Sequence, residues 1–360
     1  MNKAIPTVGE LLEHPNIQGL VSTEEAKKIA EALGKSEQAA GEPLYIRILI
    51  SIGAWFAAAF LLSFFGISGI INSSAGAIIC GALLLAAACT IARVSKGTFL
   101  QQLCLALAFA GNSLAAGGAA TAFSPPGELA SALLAHTAIC AVMYPLYPSS
   151  TYRFLAPIAV AIMATFWIIE QKVFVLIHVL ISAEMLLAGV LLLRRRCPPR
   201  LMPLAYAAAA TLPATLLFMN CTQMNVWRIN FNEPLWPSSL LLSGGLMYLL
   251  LHLTGTKRLA ESWLLLALAA IILLGIFTTP GIPTAIALLV LGYAFGDRIL
   301  TSLAYLFLPC FLIVFYYALH IDLAYKSFIV SGSGLLLLAV RLMLQYLQPK
   351  QPEQPREVQG

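Results

Sequence analysis

Charge is what this chain has least of. Only 10% of its 360 residues are Asp, Glu, Lys or Arg, while 60% are hydrophobic and the mean hydropathy is +0.86. Soluble domains carry about 25% charged residues. A chain this apolar cannot cover itself with polar groups in water, so the surrounding solvent is expected to be lipid. Catalytic motifs are absent too: the sequence has no HExxH, no GxSxG and no Walker loop. That leaves no recognised enzyme class, and no cofactor is expected. The seven cysteines (Cys80, Cys89, Cys104, Cys140, Cys197, Cys221 and Cys310) include no CxxC pair. Neither a metal site nor a disulfide framework follows from them. A net charge of +5 could signal nucleic-acid binding, but the basic residues are dispersed over alternate loops, so no nucleic acid is expected as a partner.

Long apolar runs fill most of the chain. A membrane-spanning helix needs about 20 apolar residues to cross ~30 Å of hydrocarbon. Runs of that kind lie near 45–65, 74–92, 98–122, 129–147, 152–170, 172–193, 202–219, 236–253, 260–277, 281–296, 299–318 and 327–347. The fold class expected is therefore all-α: a polytopic integral membrane bundle of about twelve helices. Ten or eleven remain open, because the connections Thr278–Gly281 and Gly296–Arg298 are very short. With both termini in the cytoplasm, the inner segments hold 18 of the 21 basic residues and the outer loops only Lys172, Arg228 and Lys326. This asymmetry sets orientation in membrane proteins.

Three segments are expected: a cytoplasmic N-terminal segment at 1–44, a transmembrane domain at 45–347 and a disordered cytoplasmic tail at 348–360. Residues 1–43 carry seven Glu and four Lys. The first apolar run begins behind them, which fits an uncleaved first span. Within that segment, Ser22 and Glu25 form a capping box, Ala26, Ile29, Ala30 and Leu33 make one stripe, and Gly34 stops the helix. In the third span, Ser113, Gly117 and Thr121, and beside them Gly111, Ala115 and Ala119, recur at intervals of four. Small residues so spaced let helices approach closely in lipid.

Glu184 lies near the middle of the sixth run. An intramembrane carboxylate is costly and is a functional candidate by default. It either carries a proton or an ion, or sits hydrogen-bonded between helices. His136 and His178 also lie in apolar runs. His178 is six residues from Glu184, on a different helix face. These three are the candidate intramembrane polar site, the histidines reading more simply as packing residues. Residues 220–235 form the longest outer loop. Its Trp227, Arg228 and Phe231 are candidates for contacting a partner, or for the aromatic belt at the interface. Lys326 and Arg341 bracket the last run. Their separation of 15 residues is ~22 Å of helix, so both can anchor it by snorkelling to opposite headgroup regions.

In the C-terminal third, PGIPTAIALLVLGYAFGDRIL and then FYYALHIDLAYKSFIVSGSGLLLLAVRLML resemble the bacterial membrane proteins of domain-of-unknown-function family 4401. The likeness is carried by Gly292 with Gly296 and Arg298, by Tyr316–Tyr317, by Lys326–Ser327, and by Gly334 and Arg341. Asp297 stands where the family pattern has Asn. The resemblance implies a bacterial inner-membrane protein with no assigned reaction. It also implies a neighbourhood of related multispan proteins, among them a membrane-anchored envelope protein that could be a partner. The expected function is a non-enzymatic membrane component that docks such a partner. The alternative is a secondary transporter with Glu184 as its intramembrane carboxylate. A basic central loop, Arg194 to Arg200, divides the runs six and six, with Pro157 matching Pro309 and Pro145 matching Pro283. A membrane enzyme acting on lipid-linked substrates lacks the clustered polar groups it would need.

Overall fold

A computed structural model of the chain describes residues 44–95, 97–123, 127–194, 198–224, 233–255 and 262–318, together with Asp322, Tyr325, Ser327, Phe328, Ser331, Leu335 and Leu338. Among these residues the structure is all-helical. Eleven helices run α1 Leu44–Ile67, α2 Ser74–Val94, α3 Thr98–Ala122, α4 Glu128–Leu146, α5 Ser150–Glu170, α6 Leu176–Leu193, α7 Met202–Gln223, α8 Trp236–Thr254, α9 Ser262–Phe277, α10 Gly281–Phe295 and α11 Arg298–Ala318. Nine of them have at least 18 residues and are apolar enough to cross a membrane; α9 and α10 are shorter. At 1.5 Å per residue those two reach roughly 22–24 Å, less than the hydrocarbon thickness. The protein is therefore a multi-pass membrane protein by the length and composition of its helices. The amphipathic segment 20–34, the run 327–347 as a whole and the tail fall outside the described residues, as do the anchors Lys326 and Arg341.

The chain forms two compact units, Met1–Ala122 and Phe123–Gly360. In the first, α3 packs against both α1 and α2. Its Gly111 faces Gly81 of α2 so closely that a Cβ on Gly81 would lie 2.6 Å from the Gly111 carbonyl oxygen. Without a hydrophobic force between helices in lipid, such backbone approach is what holds them together. Of the two small-residue stripes on α3, the one that packs is Gly111, Ala115 and Ala119, all buried. Ser113 and Gly117 are exposed, and a Cβ on Gly117 would meet nothing within 4 Å. From the other stripe only the Thr121 hydroxyl reaches across, to that of Ser74 at 2.8 Å.

The second unit is arranged around α7, which contacts α5, α6, α10 and α11. Its helix ends are closed by side chains and turns. Ser149 caps α5 by accepting from the Tyr152 amide at 3.4 Å. The α10–α11 turn is a Schellman motif: Gly296 sits at φ +65°, and the Asp297 amide donates to the Gly292 carbonyl at 2.8 Å. Asp297 then caps α11, its Oδ1 accepting from the Ile299 amide at 2.8 Å. Pro148 has no amide hydrogen to give the Tyr144 carbonyl at the end of α4. The Arg153 Nε donates to that carbonyl instead, at 2.8 Å.

Two expectations change here. α7 runs on through Gln223, so Asn220 to Gln223 belong to a helix rather than to the outer loop. The Asn220 side chain donates back to the Leu216 carbonyl at 2.8 Å, which lets a polar residue extend the helix. One of the two proline correspondences also breaks, while Pro157 and Pro309 do lie inside α5 and α11. Pro145 is near the end of α4 and Pro283 is the third residue of α10. A proline in the first turn removes an amide that has no helical partner, so Pro283 interrupts nothing.

Candidate intramembrane site

α6 buries Ile177, Ile181, Glu184, Ala188 and Leu191. These positions follow the 3.6-residue period, so Glu184 occupies the middle of the packing stripe instead of a lipid-facing or lumen-facing side. It is 6% exposed. The stripe packs chiefly on α7. There Thr211 and Thr215, one turn apart and both buried, turn their hydroxyls to the carboxyl. The Thr215 hydroxyl donates to Glu184 Oε1 at 3.5 Å, the outer limit of a hydrogen bond. Thr211 lies beside the carboxyl, but its hydroxyl donates to the Ala208 carbonyl at 3.3 Å. Glu184 Oε2 is buried with no hydrogen-bond partner. Among the described residues, no basic side chain pairs with Glu184.

On their other side the threonines line a groove. Ile158, Ala161, Ile162, Thr165 and Phe166 of α5, with Ala210, Thr211, Ala214, Thr215 and Phe218 of α7, enclose about 380 Å³. Its surface is almost wholly apolar, because the hydroxyls of Thr165, Thr211 and Thr215 are turned to the Ala161 carbonyl, the Ala208 carbonyl and Glu184. Pro157 and Pro213 lie in the two lining helices, and each removes a backbone hydrogen bond from its helix.

The histidines do not join this site. His178 Nδ1 is 2.6 Å from the Ser238 hydroxyl, a bridge from α6 to α8. His136 Nε2 lies 3.4 Å from the Ala156 carbonyl, a bridge from α4 to α5. Glu184, His178 and His136 thus serve three different helix pairs. Among the described residues no three His, Cys, Asp or Glu side chains group to hold a metal. Trp227, Arg228 and Phe231 lie outside the described residues. The ends of their loop are joined by Gln223, whose side chain donates to the Glu233 carbonyl at 3.0 Å.

Two polar contacts went unseen in the sequence. Asp297 accepts from the Tyr206 hydroxyl at 2.5 Å across 91 positions. The Tyr144 hydroxyl donates to the Arg200 carbonyl at 2.8 Å, while the Arg153 guanidinium sits 5.8 Å from the Tyr144 ring centroid. The Thr211–Thr215 pair carried one signal, a spacing of four around Pro213, but nothing in the sequence links it to Glu184.

Comparison with known families gives a match to "Domain of unknown function (DUF4401)" over residues 43–347. The match covers most of the chain rather than its last third. Outside that third, interchangeable apolar residues hide the likeness from motif reading. No curated protein matches the chain, and neither does any solved structure.

Proposed function

The chain belongs to the DUF4401 family, and we propose that it is a secondary transporter whose working group is Glu184. One observation carries this reading: a carboxyl at the centre of a helix-packing stripe, 6% exposed, with one oxygen unpartnered and only the hydroxyls of Thr211 and Thr215 beside it. A purely structural polar group in lipid finds its hydrogen bonds. An ionisable side chain facing the interior of a membrane bundle is costly to keep there and marks proton and ion pathways. The protein sits in a bacterial inner membrane with both termini in the cytoplasm and about twelve spans. The 18 to 3 division of basic residues between inner and outer segments supports that orientation.

A second reading has its own support. Trp227, Arg228 and Phe231 of the segment between α7 and α8, with the flanking Gln223 and Glu233 joined by a hydrogen bond, suit a component that docks a membrane-anchored envelope protein. One experiment separates the two. Complementation of a null mutant is measured for Glu184→Gln, and envelope-partner capture is measured after Trp227→Ala with Arg228→Ala. Transport requires that Glu184→Gln, stably inserted, fails to complement while the loop variant behaves as wild type. Full complementation by Glu184→Gln, with capture lost in the loop variant, would replace the transport reading with docking.

A further inference from the structure

Where α4 stops and α5 starts, the second unit holds a buried cation that no acid neutralises. Arg153, the fourth residue of α5, is 8% exposed. Its Nε donates to the Tyr144 carbonyl at 2.8 Å, and its guanidinium lies 5.8 Å from the Tyr144 ring centroid. Among the described residues, its two terminal nitrogens have no acceptor. We propose that this guanidinium and the open amides at the start of α5 hold the phosphate of an anionic phospholipid. The inference goes beyond the transport reading and does not involve Glu184.

Three unfavourable features coincide at Arg153. The first is an unpaired charge, because a buried ion loses its hydration and needs a partner to replace it. Between Glu128 and Glu233 the sequence has only two acids, Glu170 at the far end of α5 and Glu184 in the middle of α6. Asp297, in the α10–α11 turn, is engaged by the Tyr206 hydroxyl and by the Ile299 amide of α11. The second is unmet hydrogen bonding: a guanidinium carries five N–H donors, and one of them is used. The third is position. Arg153 stands in the first turn of a helix, where the macrodipole disfavours a cation, and that turn has no acidic residue. A snorkelling arginine lies out along the surface, whereas this one is packed between the ends of two helices. An anion at the fork relieves all three.

The same place supplies further donors. The Ser149 side chain caps α5 through the Tyr152 amide, and the Ser150 and Thr151 amides ahead of it have no helical partner. Open amides at a helix start favour an anion, and a guanidinium fork matches phosphate oxygens two at a time. The Tyr144 hydroxyl donates to the Arg200 carbonyl at 2.8 Å. That bond ties the α6–α7 connection, with its exposed Arg194 and Arg200, to the same end of the unit. These cations repel the ammonium of a zwitterionic headgroup, so the lipid is a net anion. Leu146 of α4 and Leu155 of α5 are exposed nearby and give acyl chains a surface, which a soluble phosphate compound leaves uncovered. Basic pockets between membrane helices bind anionic headgroups in this way.

The test uses the purified full-length protein in phosphatidylcholine nanodiscs. Thermal unfolding is followed as the share of phosphatidylglycerol in the disc is raised, or as glycerol 3-phosphate is added to the buffer. The proteins are wild type, Arg153→Lys, Ser150→Pro and Arg194→Gln. Lys keeps the charge of Arg153 and loses the fork. Ser149 sits at φ −83° and ψ 126°, which a following proline accepts, and proline suits the first helical position. Ser150→Pro therefore removes one amide donor and leaves Arg153 in place. Phosphatidylglycerol is expected to raise the unfolding temperature of wild type, and glycerol 3-phosphate is not. The lipid fraction giving half the effect should rise about tenfold or more in Arg153→Lys, the loss expected for a hydrogen bond to a charged group, and about threefold in Ser150→Pro. Arg194→Gln, an exposed charge, should stay within about twofold. Equal responses in all four proteins would overturn the proposal. So would a loss in Arg194→Gln as large as in Arg153→Lys, since bare surface charge would then explain the effect. Glycerol 3-phosphate as effective as the lipid would overturn the lipid as occupant. Should Arg153→Lys not fold, Ser150→Pro responding no differently from Arg194→Gln overturns the proposal by itself.

Discussion

Replacing Glu184 by Leu should make this protein more stable and inactive. In the buried stripe of α6, Leu continues the series Ile177, Ile181, Ala188 and Leu191. The substitution removes a buried carboxyl oxygen that has no partner, an arrangement that costs about 1–3 kcal/mol. It also gives up the Thr215 bond, 3.5 Å long. Interhelical hydrogen bonds in lipid average only ~0.6 kcal/mol. Thr215 is not orphaned by the change, because a helical threonine can return its hydroxyl to a carbonyl one turn back. The balance is a gain of about 1–2 kcal/mol, which for a unit of this size raises Tm by roughly 2–8 °C. Glu184→Gln, similar in shape and able to bond Thr215, should move Tm by no more than about 1–2 °C on the same scale. The assay is thermal unfolding of purified full-length protein in one detergent, run beside complementation of a null mutant. A Tm above wild type with complementation lost is the signature of a residue kept for function at the expense of stability. A Tm several degrees below wild type for Leu would refute the reasoning, because Glu184 would then be holding α6 to α7.

Gly81→Ala should lower expression and stability by about 1–3 kcal/mol, the usual cost of overpacking, because its Cβ would meet the Gly111 carbonyl at 2.6 Å. Gly117→Ala, with open space around it, should be silent when the two are compared by unfolding in SDS. Tyr206→Phe should cost about 1.5–3 kcal/mol by removing the hydrogen bond to the Asp297 carboxylate. Asp297→Ala should cost more, since the same carboxylate also caps α11. Thermal unfolding of both variants ranks them, and the reverse order would show that the cap is unimportant. For topology, a membrane-impermeant thiol reagent on spheroplasts should label a variant retaining only Cys221 and miss one retaining only Cys197. Cys221 is half-buried at the end of α7, so its labelling should be slow but complete, and labelling of Cys197 would defeat the proposed orientation.

Most of the helical framework was legible in the sequence. Nine apolar runs begin and end within about two residues of the helices, two more do so at one end, and α3 has the expected bounds 98–122. Length and hydropathy suffice there, because a segment in lipid must satisfy its own backbone, and a helix does so with local bonds alone. Two boundaries moved, one through a polar side chain and one through a backbone turn. Asn220 folds onto Leu216 and lengthens α7, while the turn at 171–175, with Lys172 at φ +56°, delays the start of α6. The family motifs in the last third pointed to DUF4401, although the match extends across residues 43–347. Glu184 stood out because a carboxylate amid apolar residues is conspicuous in one dimension.

Its surroundings were not conspicuous. By itself the sequence determined the solvent, the helical class, most of the described helix boundaries and an acid amid apolar residues, because each of these depends on residues near one another in the chain. The tertiary structure alone decided which of two small-residue stripes on α3 meets α2, that Tyr206 reaches Asp297, and that His136 and His178 bridge other helix pairs. It also decided that Glu184 points at Thr211 and Thr215 beside an apolar groove. Helix faces in lipid are nearly uniform in hydropathy, so the pattern that tells a soluble helix which side to bury is missing. Which faces meet is then settled by shape and by a few polar groups finding one another across tens of residues, and neither is written in any local stretch of the chain.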